Sequence, residues 1–181
     1  MESSGYSLVE LIAVMAVMVI LFTVTSLQIG KSNPNGTVHD DGNSLKSTIT
    51  LARTYARTGH HCCGDILPPA YGVRFKMDGP PDSTYFLYAD LDGDNVFSPA
   101  DEILIKRALS ENVDFYECTD GVTTYTALGK CDIAFLTDLS RTATFEGGEF
   151  AGDLYLLIRY RSDVSITDQI VIDKNTLNIE N

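Results

Sequence analysis

The chain has 181 residues, a formal net charge of −12 from 13 Lys and Arg against 25 Asp and Glu, four cysteines and no tryptophan. With an anchor segment set aside, about 120–150 residues remain, enough for one compact domain and too few for two. Such an acidic surface repels nucleic acid and anionic lipid headgroups except where basic residues cluster locally.

The first element is the apolar run that follows Gly5-Tyr6-Ser7-Leu8-Val9-Glu10. No charged residue occurs from Leu11 to Gly30, and the first basic residue is Lys31. As a helix rising about 1.5 Å per residue, that stretch is roughly 30 Å long, the thickness of a bilayer's hydrocarbon core. No proline interrupts it, so the sequence predicts a continuous helix from about Ser7 to Gly30. A cleaved secretory signal has a basic start, a shorter apolar core and a small-residue exit, and Met1 to Ser4 with this long run does not fit that pattern. Glu10 stands just inside the segment, where an unpaired carboxylate in lipid costs several kcal/mol. Its position calls for a partner.

Lys31-Ser32-Asn33-Pro34-Asn35-Gly36 combines turn residues with a proline that biases Asn33 away from helix, so the helix is expected to break there. A second helix follows, capped by Asp41 or Asn43, with Leu45, Ile49, Ala52 and Ala56 facing the core and Gly59 closing it. Beyond Gly64 the chain reads as strands over 71–77, 85–89, 103–108, 113–116, 134–136, 154–160 and 166–172, punctuated by Gly, Pro, Asn and Asp. Val73, Phe75 and Met77 alternate with Arg74 and Lys76, and Val164 and Ile166 are followed by Ile170 and Ile172, as in half-buried antiparallel strands. The expectation is an antiparallel sheet domain packed on a helix.

The sharpest local chemistry lies in Asp90-Leu91-Asp92-Gly93-Asp94-Asn95-Val96-Phe97-Ser98-Pro99-Ala100-Asp101. Side-chain oxygens fall at positions 1, 3, 5, 9 and 12 of a twelve-residue loop (Asp90, Asp92, Asp94, Ser98, Asp101), and Val96 offers its carbonyl at position 7. Hard oxygen ligands at this spacing suit Ca²⁺. The loop resembles a dockerin-type calcium loop, with Asn95 where glycine is usual and Asp101 in place of a bidentate Glu. The competing reading is a solvated acidic hairpin loop, since Asp-Gly is a common turn pair. Four cysteines allow three connectivities. Cys118 with Cys131 closes a short loop and is the favoured pair, which leaves Cys62 and Cys63 either joined to each other or free. His60-His61-Cys62-Cys63 holds transition-metal ligand types, but four adjacent residues do not converge on one tetrahedral ion without severe contortion. His39, His60 and His61 read as exposed loop residues. There is no H-E-x-x-H, G-x-S-x-G or phosphate-cradling glycine loop, so the sequence indicates no enzyme.

Gly5-Tyr6-Ser7-Leu8-Val9-Glu10 ahead of an apolar helix resembles the prepilin cleavage and methylation motif of type IV pilins and type II secretion pseudopilins. Leu51-Ala52-Arg53-Thr54-Tyr55-Ala56-Arg57 resembles the L-A-R-x-x-A-x-R element of GspH/FimT-type minor pseudopilins. The resemblance implies an α+β fold, a long N-terminal hydrophobic α-helix followed by an antiparallel β-sheet globular domain. It divides the chain into a leader (1–5), a transmembrane and filament-core helix (6–30), a linker with a second amphipathic helix (31–58) and an extracytoplasmic β-rich domain (59–181). It implies cleavage after Gly5, methylation of Tyr6 as the new N-terminus, and pairing of Glu10 with the amine of a neighbouring subunit. The implied partners are other pilin or pseudopilin subunits, prepilin peptidase, an inner-membrane assembly platform and secreted cargo. The implied location is the bacterial inner membrane and then a filament. A pilus-tip adhesin, a DNA-uptake subunit or a membrane-anchored calcium-binding domain are the alternatives. DNA binding is not favoured, because Val171 to Ile179 lacks the arginines of a G-R-x-R element, and Arg159 and Arg161 form only a small basic pair nearby.

Overall fold

Residues 8–29, 33–76, 83–126, 130–138 and 143–180 are described by the structure, a computed structural model, with side chains of the first helix described from Leu8 to Thr23. The chain divides into two units, Met1–Asn33 and Pro34–Asn181.

In the first unit, α1 spans Leu8–Ile29, with Glu10 in its first turn, where an acid complements the helix dipole. Among the described residues, no helix is long and apolar enough to cross a membrane. The membrane-spanning helix expected over 6–30 is corrected accordingly.

In the second unit, α2 spans Pro34–Thr58, beginning well before the expected caps Asp41 and Asn43. Proline at a first helical position loses no hydrogen bond, and the asparagine before it is a favoured cap residue, so Asn33-Pro34 starts a helix rather than a linker. Asp41 instead accepts hydrogen bonds from the Ser110 amide (2.9 Å) and hydroxyl (3.2 Å). Val38, Leu45, Ile49, Ala52 and Ala56 form the buried stripe. Gly42 lies in the same stripe because a β-carbon there would run into the Asp168 carboxylate. Gly59 ends the helix at φ +63°, and the His60 amide reaches back to the Tyr55 carbonyl at 3.0 Å.

Eleven strands follow: β1 Ala70–Lys76, β2 Thr84–Asp90, β3 Glu102–Ala108, β4 Val113–Thr119, β5 Thr124–Thr126, β6 Lys130–Leu136, β7 Ala143–Phe145, β8 Gly148–Glu149, β9 Leu154–Tyr160, β10 Asp163–Ile172 and β11 Ile179–Glu180. They form two antiparallel sheets, ordered β3-β2-β1-β6-β7-β8 and β11-β10-β9-β4-β5. The described chain is mostly β, so the expected long apolar helix with one antiparallel sheet domain is corrected to two helices and two sheets.

The physical reason lies in the inward-facing residues. Tyr71, Val73, Phe75, Tyr85, Leu87, Cys131, Ile133 and Phe135 from one sheet, and Phe115, Cys118, Leu154, Leu156, Ile158, Ile170 and Ile172 from the other, join the α2 stripe in a single core. That is two apolar sheet faces, each needing a cover. The rings of Phe75 and Phe115 meet across them at 5.5 Å, and those of Tyr125 and Phe145 at 5.7 Å.

Candidate functional site

The segment between β2 and β3 is organised by the carboxylates of Asp90 and Asp101. Asp90 closes β2 and accepts hydrogen bonds from the Gly93 amide (2.6 Å) and the Asn95 amide (2.8 Å). Asp101 accepts from the Leu91 amide (2.8 Å) and the Ser98 amide (2.7 Å), holding the two ends of the loop together. Gly93 and Asn95 take left-handed φ values of +80° and +63°, which glycine and asparagine adopt at little cost.

Asp90, Asp92 and Asp94 each direct a carboxylate oxygen to one place, within 4.8 Å of one another. Burial raises the Asp90 pKa; the Gly93 and Asn95 amides oppose this, and the nearby Asp101 and Asp92 charges add to it. The Asp92 pKa is lowered, foremost by the Ser98 hydroxyl, which donates to it at 2.8 Å. The Val96 amide donates to Asp94 at 2.8 Å.

Of the ligand set expected from sequence, the structure thus brings together Asp90, Asp92 and Asp94, with Ser98 tied to Asp92. Asp101 serves as a clasp, its two oxygens turned to backbone amides. Three converging carboxylates are the donor type that hard divalent cations take, so the residues present fit Ca²⁺ with an incomplete protein ligand shell.

The loop also covers the second face of the six-stranded sheet. Phe97 packs edge-on against Phe86 (4.7 Å) and Tyr88 (5.3 Å), and the Arg74 guanidinium lies 5.0 Å from its ring centre. Arg74 forms a two-pronged ion pair with the fully buried Asp132. The Phe97 amide also bonds that carboxylate. The Asp132 amide donates to Glu146 at 2.7 Å, and Val96 lies against the turn at Gly147. The pair and Phe97 are the residues that sequence reading missed. In the sequence Arg74 and Lys76 are the polar half of an alternating strand, and nothing in the spacing of Arg74 and Asp132 signals an ion pair beneath a covering loop.

The other expected residues fall as follows. Gly5 and Tyr6 lie outside the described residues. Glu10 is exposed and shares one face of α1 with Ala13, Val14, Val17, Met18 and Leu21. Cys118 on β4 is bonded to Cys131 on β6, with Cα atoms 6.5 Å apart, and so joins the two sheets. Cys62 is bonded to Cys63. His60 stacks on Tyr55 at 4.2 Å and His61 meets the Asp65 carboxylate at 2.9 Å, so these histidines do not join the adjacent cysteines around a common point. His39 lies in α2, rather than in a loop, 3.4 Å from Asp168. Arg161 pairs with Asp114 at 2.8 Å and Arg159 lies over the Tyr116 ring at 4.3 Å, so the two arginines have separate structural partners.

No protein-family profile, curated protein or solved structure matches the chain.

Proposed function

We propose that the protein is a minor pilin or pseudopilin, a structural subunit of a type II secretion pseudopilus or a type IV pilus that acts at or near the tip or in assembly initiation. One observation carries the reading. The large apolar side chains of α1 from Leu8 to Phe22 are 53–76% exposed around the whole helix, and Glu10 is the only charge in α1. A helix apolar on every side needs a covering on every side, and packing among the same helix of neighbouring subunits supplies one. Glu10 would then meet the N-terminal amine of a neighbour, since a carboxylate in apolar surroundings requires an opposite charge.

In this reading prepilin peptidase cleaves after Gly5 and Tyr6 is methylated. The subunit is held at the bacterial inner membrane until an assembly platform there passes it into the filament. Its β domain selects adjacent subunits or secreted cargo; nucleic acid is not the partner. Ca²⁺ held by Asp90, Asp92 and Asp94 would stabilise the loop over the second face of the sheet, a contribution to folding rather than catalysis.

Intact mass of the protein from cells with and without prepilin peptidase tests the reading, alongside incorporation of a Glu10→Ala variant into filaments. Peptidase-dependent loss of Met1 to Gly5 with gain of one methyl group is expected, as is failure of the variant to incorporate. A leader retained in both cells would overturn it.

A further inference from the structure

Cys62 and Cys63 form a disulfide between neighbours in sequence, in the segment that joins α2 to β1. Cys63, Gly64 and Asp65 all take left-handed φ values, +56°, +88° and +71°. That conformation costs Cys63 most, since glycine and aspartate enter it more readily. The three residues fold the chain back, so that Cys62 and Ile66 exchange both backbone hydrogen bonds, at 2.9 and 2.8 Å. Both ends of the segment are pinned elsewhere. The His60 ring stacks on Tyr55 and its carbonyl accepts from the Tyr71 hydroxyl, while the carbonyls of Pro68 and Pro69 accept from Thr137. A further tie across the turn, from His61 to Asp65, is solvent-exposed at both ends and adds little.

We propose that Cys62–Cys63 is a thiol–disulfide exchange site, opened by a dithiol, and that its opening releases the turn over 62–66 while the rest of the domain stays folded. A thiolate of the dithiol attacks one sulfur of the pair; the bond between Cys62 and Cys63 breaks, a mixed disulfide forms, and the displaced sulfur takes up a proton. The second thiol of the reductant then attacks the mixed disulfide and leaves as its own oxidised disulfide. Two electrons and two protons have passed to Cys62 and Cys63.

Exchange needs a thiolate to reach sulfur. Cys62 and Cys63 are half-buried, with exposed His60 and His61 on one side and exposed Gly64 to Leu67 on the other. Cys118 and Cys131 lie fully buried in the core, so their bond is shielded while the domain stays folded. A crosslink between neighbours closes almost no loop, so global stability does not account for the pair, and breaking it leaves the fold standing. What it does govern is local. The ring closed by the disulfide contains the Cys62–Cys63 peptide bond and so couples the Cys63 backbone to the state of the sulfurs. Once they part, Cys63 is free to leave the left-handed region, and the turn loses the residue that folds it back. Ile66 and Leu67, 51% and 46% exposed, move with the turn, which makes the redox state readable from outside.

The site is independent of the filament reading, since all its parts lie in one chain. The test uses the full chain in a non-ionic detergent, with dithiothreitol as the dithiol. Alkylation with peptide mass reports the cysteines, and amide hydrogen exchange followed by NMR reports the turn. Cys62 and Cys63 should become alkylated at least tenfold faster than Cys118 and Cys131. The Cys62 and Ile66 amides should then exchange at least tenfold faster, with the Thr137 amide, bonded to Pro69, unchanged. Cys62→Ser with Cys63→Ser should show the fast exchange without reductant and no further response to it. Unchanged exchange in the reduced parent overturns the proposal, as do equal alkylation rates for the two pairs. Alkylation of Cys62 and Cys63 before any reductant is added overturns it as well, and so does faster exchange that spreads to Thr137, which would mark unfolding rather than a local release.

Discussion

Gly72 on β1 lies directly between Tyr88 on β2 and Ala134 on β6, and the Tyr88 ring lies across it, so a β-carbon at 72 would sit inside the ring's van der Waals envelope. Tyr88 is itself buried between the sheet and Phe97, with no room to swing away. Gly72→Ala is therefore expected to destabilise the fold by about 1–3 kcal/mol, despite the usual gain from replacing glycine within a strand, and urea unfolding followed by tyrosine fluorescence measures it. Asp120 presents a different kind of dependence. Burial acts to raise its pKa, but the Thr123, Ala151 and Val122 amides outweigh burial and hold it below the ordinary carboxylate value. A depressed folded-state pKa contributes stability that is present above the unfolded value of about 3.9 and is lost as pH falls through the folded one. Asp120→Asn should accordingly cost about 1–2 kcal/mol near neutral pH, and the gap to the parent protein should close below about pH 4. Unfolding curves collected from pH 7 down to pH 2 check both the size and the sign.

At the scale of elements, the loop from Asp90 to Asp101 was legible as chemistry and illegible as architecture. Its acids stand at ligand spacing, and Asn95 adopts the left-handed conformation that the loop needs there. What spacing does not reveal is that Phe97 turns under the loop and its amide reaches Asp132. That placement depends on β6, which comes thirty residues later and is covered on both faces, so Asp132 and Ala134 are buried alongside Cys131 and Ile133. A strand covered on both faces loses the alternation by which strands are recognised, and only its end, 134–136, was read as strand. The loop leads to a prediction with two arms. Ca²⁺ at one hundred times its dissociation constant adds about 2.7 kcal/mol to stability, so the melting temperature should rise with Ca²⁺ and fall with chelator. In Asp92→Asn with Asp94→Asn that response should vanish. Without Ca²⁺ the doubly substituted protein should be somewhat less stable than the parent, because Asp92 accepts from the Ser98 hydroxyl and Asp94 from the Val96 amide, and the lowered Asp92 pKa marks a charge that the fold stabilises. Calorimetric scans of both proteins with and without Ca²⁺ decide it, and an unchanged response in the variant would remove the ion from these residues.

At the scale of the whole chain, the second helix's core stripe and most strand positions could be read from periodicity, whereas the number of sheets could not. Strand β4 shows why. Its pairing with β9 shifts register between Phe115 and Glu117, leaving Tyr116 outward and turning both Phe115 and Cys118 inward at a spacing of three. Alternation stops at Tyr116, so the sequence suggests a strand over 113–116 and hides the half that carries Cys118. The same kind of shift follows Asp163 in β10, where Val164 is exposed while Ile170 and Ile172 are buried. Bulges of this kind bend strands, and a bent five-stranded sheet can close over the first. The covalent tie between the sheets then follows from Cys118 facing Cys131 in the shared core. A crosslink thirteen residues apart removes conformational freedom from the unfolded chain, worth about 2–4 kcal/mol, whereas one between neighbours closes almost no loop. Replacing Cys118 and Cys131 by alanine should thus lower the unfolding free energy by about that amount, with an added contribution from lost packing because both residues are fully buried. Replacing Cys62 and Cys63 by serine should cost under about 1 kcal/mol. Guanidinium unfolding of the parent and both double variants, each under non-reducing conditions, gives the comparison. If the two variants lose equal stability, the disulfide between the sheets is not what holds them in register, and the Phe75–Phe115 and Tyr125–Phe145 contacts must carry that role.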